Sequence, residues 1–545
     1  MRIRSTSIHW RAGPALALLG AVMLLTAIAA VSLASQPAPQ PLAHAPKETR
    51  WITADHSKFP ALQGNFTSGP EVTKACLSCH TEAASQIHKT IHWTWKCPHD
   101  ETGTMGKYGK TLNNFCVAVP SNEPRCTSCH IGYGFKDKTF DFSDANKIDC
   151  LVCHDRTGTY KKFPTMAGNP VSEPTVFPED NTTYLPPDWN KVAQGVGRPD
   201  RTNCGNCHFY GGGGDAVKHG DLDSSMVNPP RTLDVHMAKD GANFTCARCH
   251  TTEAHRIAGR CYKTPAATHR KSLVEDDTVS RITCESCHTS TPHKPGVKAN
   301  DHTDKVACQT CHIPAFAREL ATKMSWDWST AGKMKDGKPF KTKNEFGVSS
   351  YDSKKGDFDW QKNVVPVYAW FNGTMEYLTI DDTINPDTRV AINSPVGARE
   401  DVNSRIYPFK MHTGKQPYDT KLKRFVIPHL FGKDDAAYWK SYDWAKAIAA
   451  GMDYIKQEYS GEYGFVETSY VFQTTHMVAP KEQSLACESC HTRENSRLQQ
   501  LAGFYMPGRD SVSVIDQLGW GLVILSLAGV FMHGLARVIA SKKRS

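Results

Sequence analysis

The chain has 545 residues, a length that ordinarily corresponds to three or four domains, and a formal charge of +9 at pH 7. Only 39% of the residues are hydrophobic, whereas 39 are Gly and 32 are Pro. This composition excludes several ordinary apolar cores, so a large part of the interior has to come from something other than side chains.

The first residues have the pattern of an export signal. Arg2, Arg4 and Arg11 precede an apolar run that ends near residue 34, and a polar, Pro-rich stretch follows. Residues 1–34 are therefore predicted to direct the chain out of the cytoplasm. Because the run is long for a cleaved signal, an uncleaved N-terminal anchor is the alternative.

Eight Cys-x-x-Cys-His pentapeptides determine the class of the protein. The pattern is typical of c-type haem attachment, in which two thioether bonds hold the porphyrin and the adjoining His binds the iron. Chance would supply roughly 0.03 such matches at this Cys and His content. Zinc sites and thioredoxin-like pairs also use Cys-x-x-Cys, but neither needs a His after every pair. The attachment cysteines are Cys76, Cys79, Cys126, Cys129, Cys150, Cys153, Cys204, Cys207, Cys246, Cys249, Cys284, Cys287, Cys308, Cys311, Cys487 and Cys490, and the proximal histidines are His80, His130, His154, His208, His250, His288, His312 and His491.

Eight covalent haems account for both the composition and the charge. Each porphyrin supplies a large flat apolar surface around which irregular loops can pack. Each ferric haem with two ionised propionates carries about −1, so eight of them offset most of the +9. The excess of basic over acidic residues is therefore no indication of a nucleic-acid partner.

Fourteen further histidines are candidate distal ligands once His9 and His533 are set aside. Five lie close to an attachment motif in sequence. His88, His92 and His219 are as close but have rival histidines or lie on uncertain loops, whereas His56 and His412 are more remote; for each singly, the alternative is a surface or core side chain. If every haem had two His ligands, the protein would be suited to electron transfer only. The predicted distal ligands are His236, His255, His293, His302, His476, His219, His88 and His412.

Three regions follow the signal. Residues 47–312 hold seven motifs, residues 313–480 hold none, and residues 481–512 carry the eighth. Apolar spacing predicts a long helix over residues 434–459, and mixed aromatic, β-branched and Gly residues predict short strands and loops over residues 348–380. The expected fold is a multihaem cytochrome c that is mainly α, with extensive irregular structure organised around eight haems, few short strands and one C-terminal transmembrane helix. Six tryptophans lie in the motif-free region: Trp326, Trp328, Trp360, Trp370, Trp439 and Trp444.

The C-terminal segment, residues 516–541, is predicted to be a membrane anchor. Residues 518–540 contain no acid and no Lys, and residues 542–544 are all basic, which places that end inside the cell. The alternative is a buried helix of a soluble protein. His533 within the segment could bind a b-type haem, but we favour docking of the helix against a quinone-linked membrane subunit of the cytochrome b type. The haem region would then lie at the periplasmic face of the cytoplasmic membrane.

Three cysteines, Cys97, Cys116 and Cys261, belong to no attachment motif. An odd number in an exported chain leaves at least one without an intrachain partner. A Cys97–Cys116 disulfide is one interpretation. The other is a free thiol near a haem, where a soft sulfur can bind or exchange with a sulfur substrate.

Several stretches resemble the octahaem tetrathionate reductase family of multihaem c-type cytochromes. The likeness extends over residues 51–493, is specific in motif order and spacing, and leaves out the C-terminal anchor. The stretches are Asn113-Asn114-Phe115-Cys116, residues 121–130 around the second motif, residues 150–155 around the third, the Gly-rich run 211–223 with Lys218-His219-Gly220-Asp221, residues 306–314 around the seventh motif, and residues 475–480 before the eighth.

The resemblance implies seven haems with two His ligands and one catalytic haem, attached at the second motif, with a Lys amine as its distal ligand. Carried over, His130 is its proximal ligand, and Cys116 and Asn113 line the pocket. Lys218 is the first choice for the distal amine because adjacent glycines allow close approach to a porphyrin. Lys161 and its neighbour Lys162 are the alternatives.

Three functions follow from the sequence. The first is an anchored terminal reductase that cleaves tetrathionate, and the second is the same enzyme acting on nitrite or hydroxylamine. The Cys-x-x-Cys-Lys site that marks dedicated nitrite reductases is absent from the sequence. The third is a conduit without catalysis that passes electrons between quinol and a periplasmic partner.

Asp221 and Asp223 are, in addition, a weak indication of calcium binding.

Overall fold

The computed structural model of the protein describes residues 54–97, 100, 102–259 and 282–543; the predicted export signal, Cys261 and Arg544 lie outside them. The α-helices are α1 (Gly69–Leu77), α2 (Ala83–Ile87), α3 (Ile91–Thr94), α4 (Glu123–Cys126), α5 (Leu151–His154), α6 (Trp189–Gln194), α7 (Arg201–His208), α8 (Cys246–Cys249), α9 (Glu285–His288), α10 (Cys308–His312), α11 (Tyr438–Ser441), α12 (Trp444–Ile455) and α13 (Ser513–Lys542). Short 3₁₀ turns lie at His56–Lys58, Pro60–Leu62, Thr127–Cys129, Ala145–Lys147, Ser224–Val227, Lys298–His302, Trp328–Thr330, Lys481–Gln483 and Cys487–Ser489.

Most attachment motifs lie on single turns of helix, as in α5, α8, α9 and α10. A helical turn suits the motif because positions i and i+3 share one face and the His at i+4 lies beside them. The longer α7 begins with a capping box, in which the side chain of Asp200 accepts from the Asn203 amide and the Asn203 side chain accepts from the Asp200 amide. The haem-attachment region is therefore a set of short turns joined by loops.

The strands of the described chain are β1 (Thr175–Phe177), β2 (Thr182–Tyr184), β3 (Thr252–Glu253), β4 (Arg256–Ile257), β5 (Thr322–Asp327), β6 (Met334–Lys335), β7 (Lys338–Pro339), β8 (Lys341–Lys343), β9 (Ser349–Asp352), β10 (Gly356–Gln361), β11 (Val367–Phe371), β12 (Thr374–Tyr377), β13 (Val390–Ala391), β14 (Asn393–Val396), β15 (Arg405–Asp419), β16 (Arg424–Phe425) and β17 (Tyr463–Gln473). The motif-free region forms a nine-stranded sheet with the order β13-β17-β15-β5-β10-β9-β8, and β11 and β16 also pair with β15.

The long strand β15 is the centre of this sheet. It pairs antiparallel with β17 from Phe409 to Asp419 and, on its other edge, parallel with β5 and antiparallel with β11. Aromatic side chains fill the core beside the sheet: Trp326 stacks on Trp328 with ring centroids 4.7 Å apart, and Tyr438 stacks on Trp444 at 4.0 Å. Buried residues of α12 complete the same core.

The expectation of a mainly α fold with few short strands is wrong for the motif-free region. Strands β15 and β17 span fifteen and eleven residues. Their alternation is hard to recognise in the sequence because polar side chains occupy buried positions, notably Lys410, His412 and Gln416 of β15 and Thr468 of β17. An apolar pattern predicts a strand only where the buried face is apolar.

Of the other two predictions for this region, one is confirmed and one is wrong. Short strands over residues 348–380 are confirmed as β9 to β12. The long helix predicted over residues 434–459 is instead divided into α11 and α12. Tyr442 ends α11 in a left-handed conformation (φ 56°), and the side chain of Asp443 caps α12 by accepting from the Lys446 amide.

The C-terminal helix α13 is thirty residues long, with a mean hydropathy of 2.0 over its most apolar window. None of that window is buried against the described protein. By length and composition the helix is able to cross a bilayer, and its large apolar side chains are exposed.

Deletion of residues 513–545 should release the protein from membranes. We expect most of the truncated chain to move to the soluble fraction, with an unchanged haem spectrum, because α13 shares no buried surface with the remainder. Fractionation of cells expressing the full and truncated chains provides the measurement. Continued sedimentation of the truncated chain with membranes would instead assign anchoring to the N-terminal apolar run.

Candidate functional site

In the described part of the chain, six pairs of histidine rings lie at a nearly constant spacing of 5.9 to 6.4 Å between centroids. An iron held by two imidazoles requires about 6 Å, because each metal–nitrogen bond is about 2 Å long and each nitrogen lies about 1 Å from its ring centre. One ring of every pair is proximal, so these residues fit a haem iron. The pairs are His56 with His80, His92 with His208, His236 with His288, His250 with His476, His293 with His312, and His302 with His491.

Backbone carbonyls fix the orientation of several of these rings. The Nδ1 atoms of His154, His250 and His491 lie 2.9, 2.7 and 2.7 Å from the carbonyl oxygens of Gly197, Ala258 and Pro507. A hydrogen bond at Nδ1 sets the tautomer and leaves Nε2 for the metal. The imidazoles are therefore oriented for coordination by the protein backbone.

The structure places the predicted distal histidines in different surroundings. His236, His293, His302 and His476 lie opposite proximal rings. His255 lies near His154 and His80; burial, followed by the charges of those two rings, lowers the pKa of His255. The remaining three are not opposite a proximal ring: His88 stacks on Trp93 (5.0 Å), His219 packs on Phe472 (5.6 Å), and His412 is completely buried in the sheet.

Two histidines that were candidates but not in the predicted set of distal ligands, His56 and His92, do form pairs. His92 lies on α3 one turn after His88, and the helix directs His92 toward His208. This choice between neighbours is not visible in spacing. His56 carried no local signal, because twenty residues separate it from Cys76.

The attachment thiols of different motifs lie against one another. Because the thioethers lie at porphyrin edges, adjacent thiols bring haem edges together. The hydrogen bond from Cys207 lowers the pKa of Cys129 to about 6. The other thiol hydrogen bonds join Cys76 to Cys150, Cys204 to Cys246, and Cys284 to Cys308. Longer-range electrostatic interactions relate Cys153 to Cys204 and Cys207, Cys249 to Cys287, and Cys311 to Cys490.

These contacts arrange the motifs in one line with a branch. In motif numbers the line runs 1-3-4-5-6-7-8, and the second motif joins it at the fourth through Cys129 and Cys207. The second motif is therefore a side branch of this line and not a link within it.

The second motif also differs in its histidine. His130 is fully buried, its Nε2 lies 2.6 Å from the Trp93 carbonyl oxygen, and its Nδ1 is buried without a partner. Burial lowers the pKa of His130 to about 3, so the ring is neutral, as a metal ligand must be. Coordination through Nε2 requires the ring to leave the Trp93 carbonyl. Among the described residues the rings around it are Trp93, Trp95, Phe135, Phe140 and Phe142, none of them a histidine.

Lys218 lies near the attachment thiol Cys129 and has its Nζ 5.7 Å from the ring centroid of Phe472. Burial lowers the pKa of Lys218 to about 7; the charge of Lys107 adds to this effect and Cys129 opposes it. A Cβ atom at Gly211 would lie 3.2 Å from the Lys218 side chain, so glycine allows the close approach of loop and lysine.

The two alternative lysines have other surroundings. Lys161 is exposed. Lys162 forms an ion pair with Asp149, at 3.0 Å, and its Nζ also donates to the His130 carbonyl oxygen. Burial lowers the pKa of Lys218 to about 7, which suits an amine ligand.

Asn113 and Cys116 lie on one tight hairpin. The amide of Asn113 donates to the Val117 carbonyl, and the amide of Ala118 donates to that of Cys116, at 2.8 Å each. Val117 adopts a φ of 66°, which a β-branched residue rarely does and which costs about 1–3 kcal/mol. Cys116 is a free thiol, so the alternative Cys97–Cys116 disulfide is not formed.

Cations surround the Cys116 thiol. Burial raises the pKa of Cys116, and Lys355, Arg125 and Lys323 oppose that rise. Lys355 and Arg125 also bind Glu179, at 2.9 and 3.3 Å; their charges outweigh its burial and hold the pKa of Glu179 at about 2. Sequence reasoning missed these residues because they come from three distant segments.

The Lys323 ammonium lies among aromatic rings, 3.5 Å from the centroid of Phe358 and 4.1 Å from that of Trp326. Burial lowers the pKa of Lys323 well below its usual value.

Asp221 and Asp223 serve protein contacts. Asp221 accepts from the amides of Thr475 and His476, at 2.7 and 2.9 Å, and lies 3.3 Å from His476 Nδ1. Asp223 caps the turn that begins at Ser224. The described residues contain no cluster of three or more His, Cys, Asp or Glu arranged for a metal ion, and calcium binding stays a prediction.

A family model and a solved structure that match this chain are both of cytochromes c. The bacterial cytochrome c family matches residues 323–494. The crystal structure of octahaem cytochrome c from Shewanella oneidensis is 45% identical, superposes with a TM-score of 0.70, and is matched over 81% of this chain and 95% of that one. An uncharacterized protein of Archaeoglobus fulgidus is 24% identical over 246 residues, which span 37% of this chain and 80% of the relative.

The partly buried thiol of Cys116 should resist alkylation at pH 8. Because its pKa is raised, the thiolate fraction stays small until the pH exceeds the ordinary cysteine value, so iodoacetamide should react at least ten-fold more slowly than with an exposed cysteine. Peptide mass spectrometry across a pH series measures this rate, with Cys116→Ser as the blank. Rapid alkylation at pH 7 would show that the nearby cations lower the pKa of Cys116 more than burial raises it.

Proposed function

Because the chain belongs to the octahaem tetrathionate reductase family of multihaem c-type cytochromes, we propose that it is a terminal reductase that acts at the haem of the second motif. The substrate we favour is tetrathionate. Two electrons enter, the central S–S bond breaks, and two thiosulfate anions leave without uptake of a proton. The other seven haems, each with two His ligands, conduct the electrons.

The observation that carries this proposal is the contrast between His130 and the other proximal histidines. Six of those have a histidine ring about 6 Å away, and His255 lies near the seventh, His154. No histidine ring of the described chain packs against His130, and Lys218 lies near its attachment thiol. A haem with a displaceable amine can accept substrate, whereas one with two imidazoles transfers electrons.

The lysine is suited to this role by its surroundings. An amine binds a metal only when it is deprotonated, and burial brings the pKa of Lys218 to about 7. Near neutral pH, deprotonated Lys218 is available as a ligand, and protonation after release turns it into a cation that attracts the anionic substrate.

The residues around Cys116 support an anionic sulfur substrate. The haem, when bound, supplies electrons and a coordination site for sulfur. Lys355 and Arg125 provide positive charge near Cys116, where two thiosulfates would separate. The Cys116 thiol is protonated because its pKa is raised, so it donates a weak hydrogen bond to sulfur and adds no negative charge.

The branch geometry suggests the direction of electron flow. The eighth motif precedes α13 in sequence, and Arg493 lies 3.6 Å from Asp516 of that helix. With α13 as anchor at the periplasmic face of the membrane, electrons would enter at the eighth haem from a quinone-linked cytochrome b-type subunit. They would then pass through the seventh, sixth, fifth and fourth haems to the second.

An alternative function is a conduit without catalysis. The exposed apolar surface of α13 and the unbroken line of motifs favour it, because both suit transfer between a membrane donor and a periplasmic acceptor. Nitrite and hydroxylamine are alternative substrates for the same site.

Near-infrared magnetic circular dichroism of the oxidised holoprotein should distinguish these functions. We expect about seven haems with two His ligands and one with a His–Lys or open-site band. Lys218→Met should abolish that single band, and Lys161→Met, at an exposed position, should leave it unchanged. Eight bands of the two-His type in the unsubstituted protein would establish the conduit instead.

Cys116→Ala should retain all eight haems and lose at least nine-tenths of tetrathionate turnover, because the substitution removes the thiol from the centre of the cationic pocket. Reduced-dye assays measure the turnover and pyridine haemochrome the haem content. Cys116→Ser, which keeps a hydroxyl donor, serves as the matched variant. Unchanged turnover in the alanine variant would remove Cys116 from the mechanism.

A further inference from the structure

Strand β15 carries an unusual buried polar stripe. Residues 410, 412, 414 and 416 alternate along the strand and therefore point to one face of the sheet. Lys410, His412 and Gln416 are each at most 1% exposed. Such side chains are rare in a sheet interior, and each needs hydrogen-bond partners there.

The C-terminal half of this stripe holds the hairpin of Asn113 and Cys116. Gln416 Nε2 donates to the Asn113 carbonyl oxygen at 2.8 Å. Asn114 Nδ2 donates to both Nδ1 and the carbonyl oxygen of His412, at 2.8 and 2.9 Å. A Cβ at Gly414 would lie only 2.7 Å from Asn114 Oδ1, so glycine allows the hairpin to lie directly on the strand.

The N-terminal end of the stripe holds the loop of Lys218. Lys410 Nζ donates to the carbonyl oxygens of Val217 and Lys218, at 3.0 and 3.2 Å, and to Thr322 Oγ1 at 2.5 Å. Thr322 Oγ1 in turn donates to the Ala216 carbonyl oxygen at 2.6 Å. The Lys410 Nζ thus has three acceptors within hydrogen-bond distance, two of them carbonyl oxygens of the loop that carries Lys218, so Lys410 clamps this backbone.

The two loops also touch each other. Gly212 adopts a φ of 81°, and a Cβ there would lie 3.2 Å from the Phe115 ring and 2.9 Å from Val217. Phe115 packs in turn on His412, with ring centroids 5.2 Å apart. Strand β15 of the motif-free region thus holds both segments that carry the proposed catalytic side chains.

We propose that Lys410 is a positioning residue for Lys218: its hydrogen bonds to the Val217 and Lys218 carbonyls fix the loop from which the Lys218 side chain would reach the haem of the second motif. The inference rests on the proposed function, since it gives Lys218 the role of distal ligand. Lys410 itself contacts no substrate. It acts through the loop backbone, and the register of β15 fixes the distance between Lys218 and Cys116.

The test is Lys410→Met, which keeps the length and apolar stem of the side chain and removes its three donors. We expect retention of all eight haems, loss or displacement of the single His–Lys band in the near-infrared, and at least a ten-fold fall in tetrathionate turnover. The seven two-His bands should not change. Hydrogen exchange of the peptide spanning residues 211–221 should also quicken, because two backbone carbonyls lose their partner.

Matched variants separate positioning from general damage. Lys415→Met changes a lysine on the opposite face of the same strand and should leave spectrum, exchange and turnover unchanged. Lys410→Arg retains donors and should restore part of the His–Lys band. If Lys410→Met does not accumulate as holoprotein, Lys410→Gln replaces it: the shorter amide keeps a polar group in the site but cannot reach both carbonyls, and the same spectral change is expected.

The two proposals fail in different ways. A normal His–Lys band and normal loop exchange in Lys410→Met or Lys410→Gln would overturn the positioning role and leave the reductase proposal intact. Eight two-His bands in the unsubstituted protein would overturn the reductase proposal, and the role of Lys410 with it.

Discussion

The spacing of two imidazoles across one iron is the constraint on which the rest of the structure depends. About 6 Å must separate each pair of rings, and the chain meets this requirement with partners both near and remote in sequence. His56 and His80 close a short loop, whereas His250 and His476 join the fifth motif to the end of the motif-free region. Short helical turns and irregular loops suffice between these points because metal and thioether bonds replace the apolar core that the composition cannot provide.

The sheet solves a different problem. The proposed reaction would need a displaceable ligand and a thiol held at one haem without a permanent bond to its iron, and covalent attachment of the haem places neither. Strand β15 provides a rigid element for both loops: Lys410 binds the backbone beside Lys218, and Gln416 binds that of Asn113. The strained γ-turn at Val117 is then maintained by contacts around it, including the bond from Trp328 Nε1 to the Phe115 carbonyl, at 2.6 Å.

Much of the protein could be predicted from the sequence where chemistry is local. A Cys-x-x-Cys-His motif contains its own proximal ligand and attachment points, so family and cofactor class follow from it. Which histidine becomes a distal ligand depends on how the chain returns to the opposite side of the porphyrin. His92 rather than His88 faces a proximal histidine, and His412, which has a suitable residue type, instead binds Asn114 inside the sheet. The sheet itself went unrecognised because its central strand buries polar side chains.

The position of the second motif beside the line bears on the choice between enzyme and conduit. A conduit gains nothing from a haem on a branch, since electrons moving between the ends never need to enter it. A catalytic haem benefits from such a position, because substrate can approach one face while the adjoining haem supplies electrons from the other. The contact between Cys129 and Cys207 places the branch next to the fourth motif. Under the proposed reductase function, the fourth haem would draw on both arms of the line, so that two electrons would reach the S–S bond of the substrate in close succession.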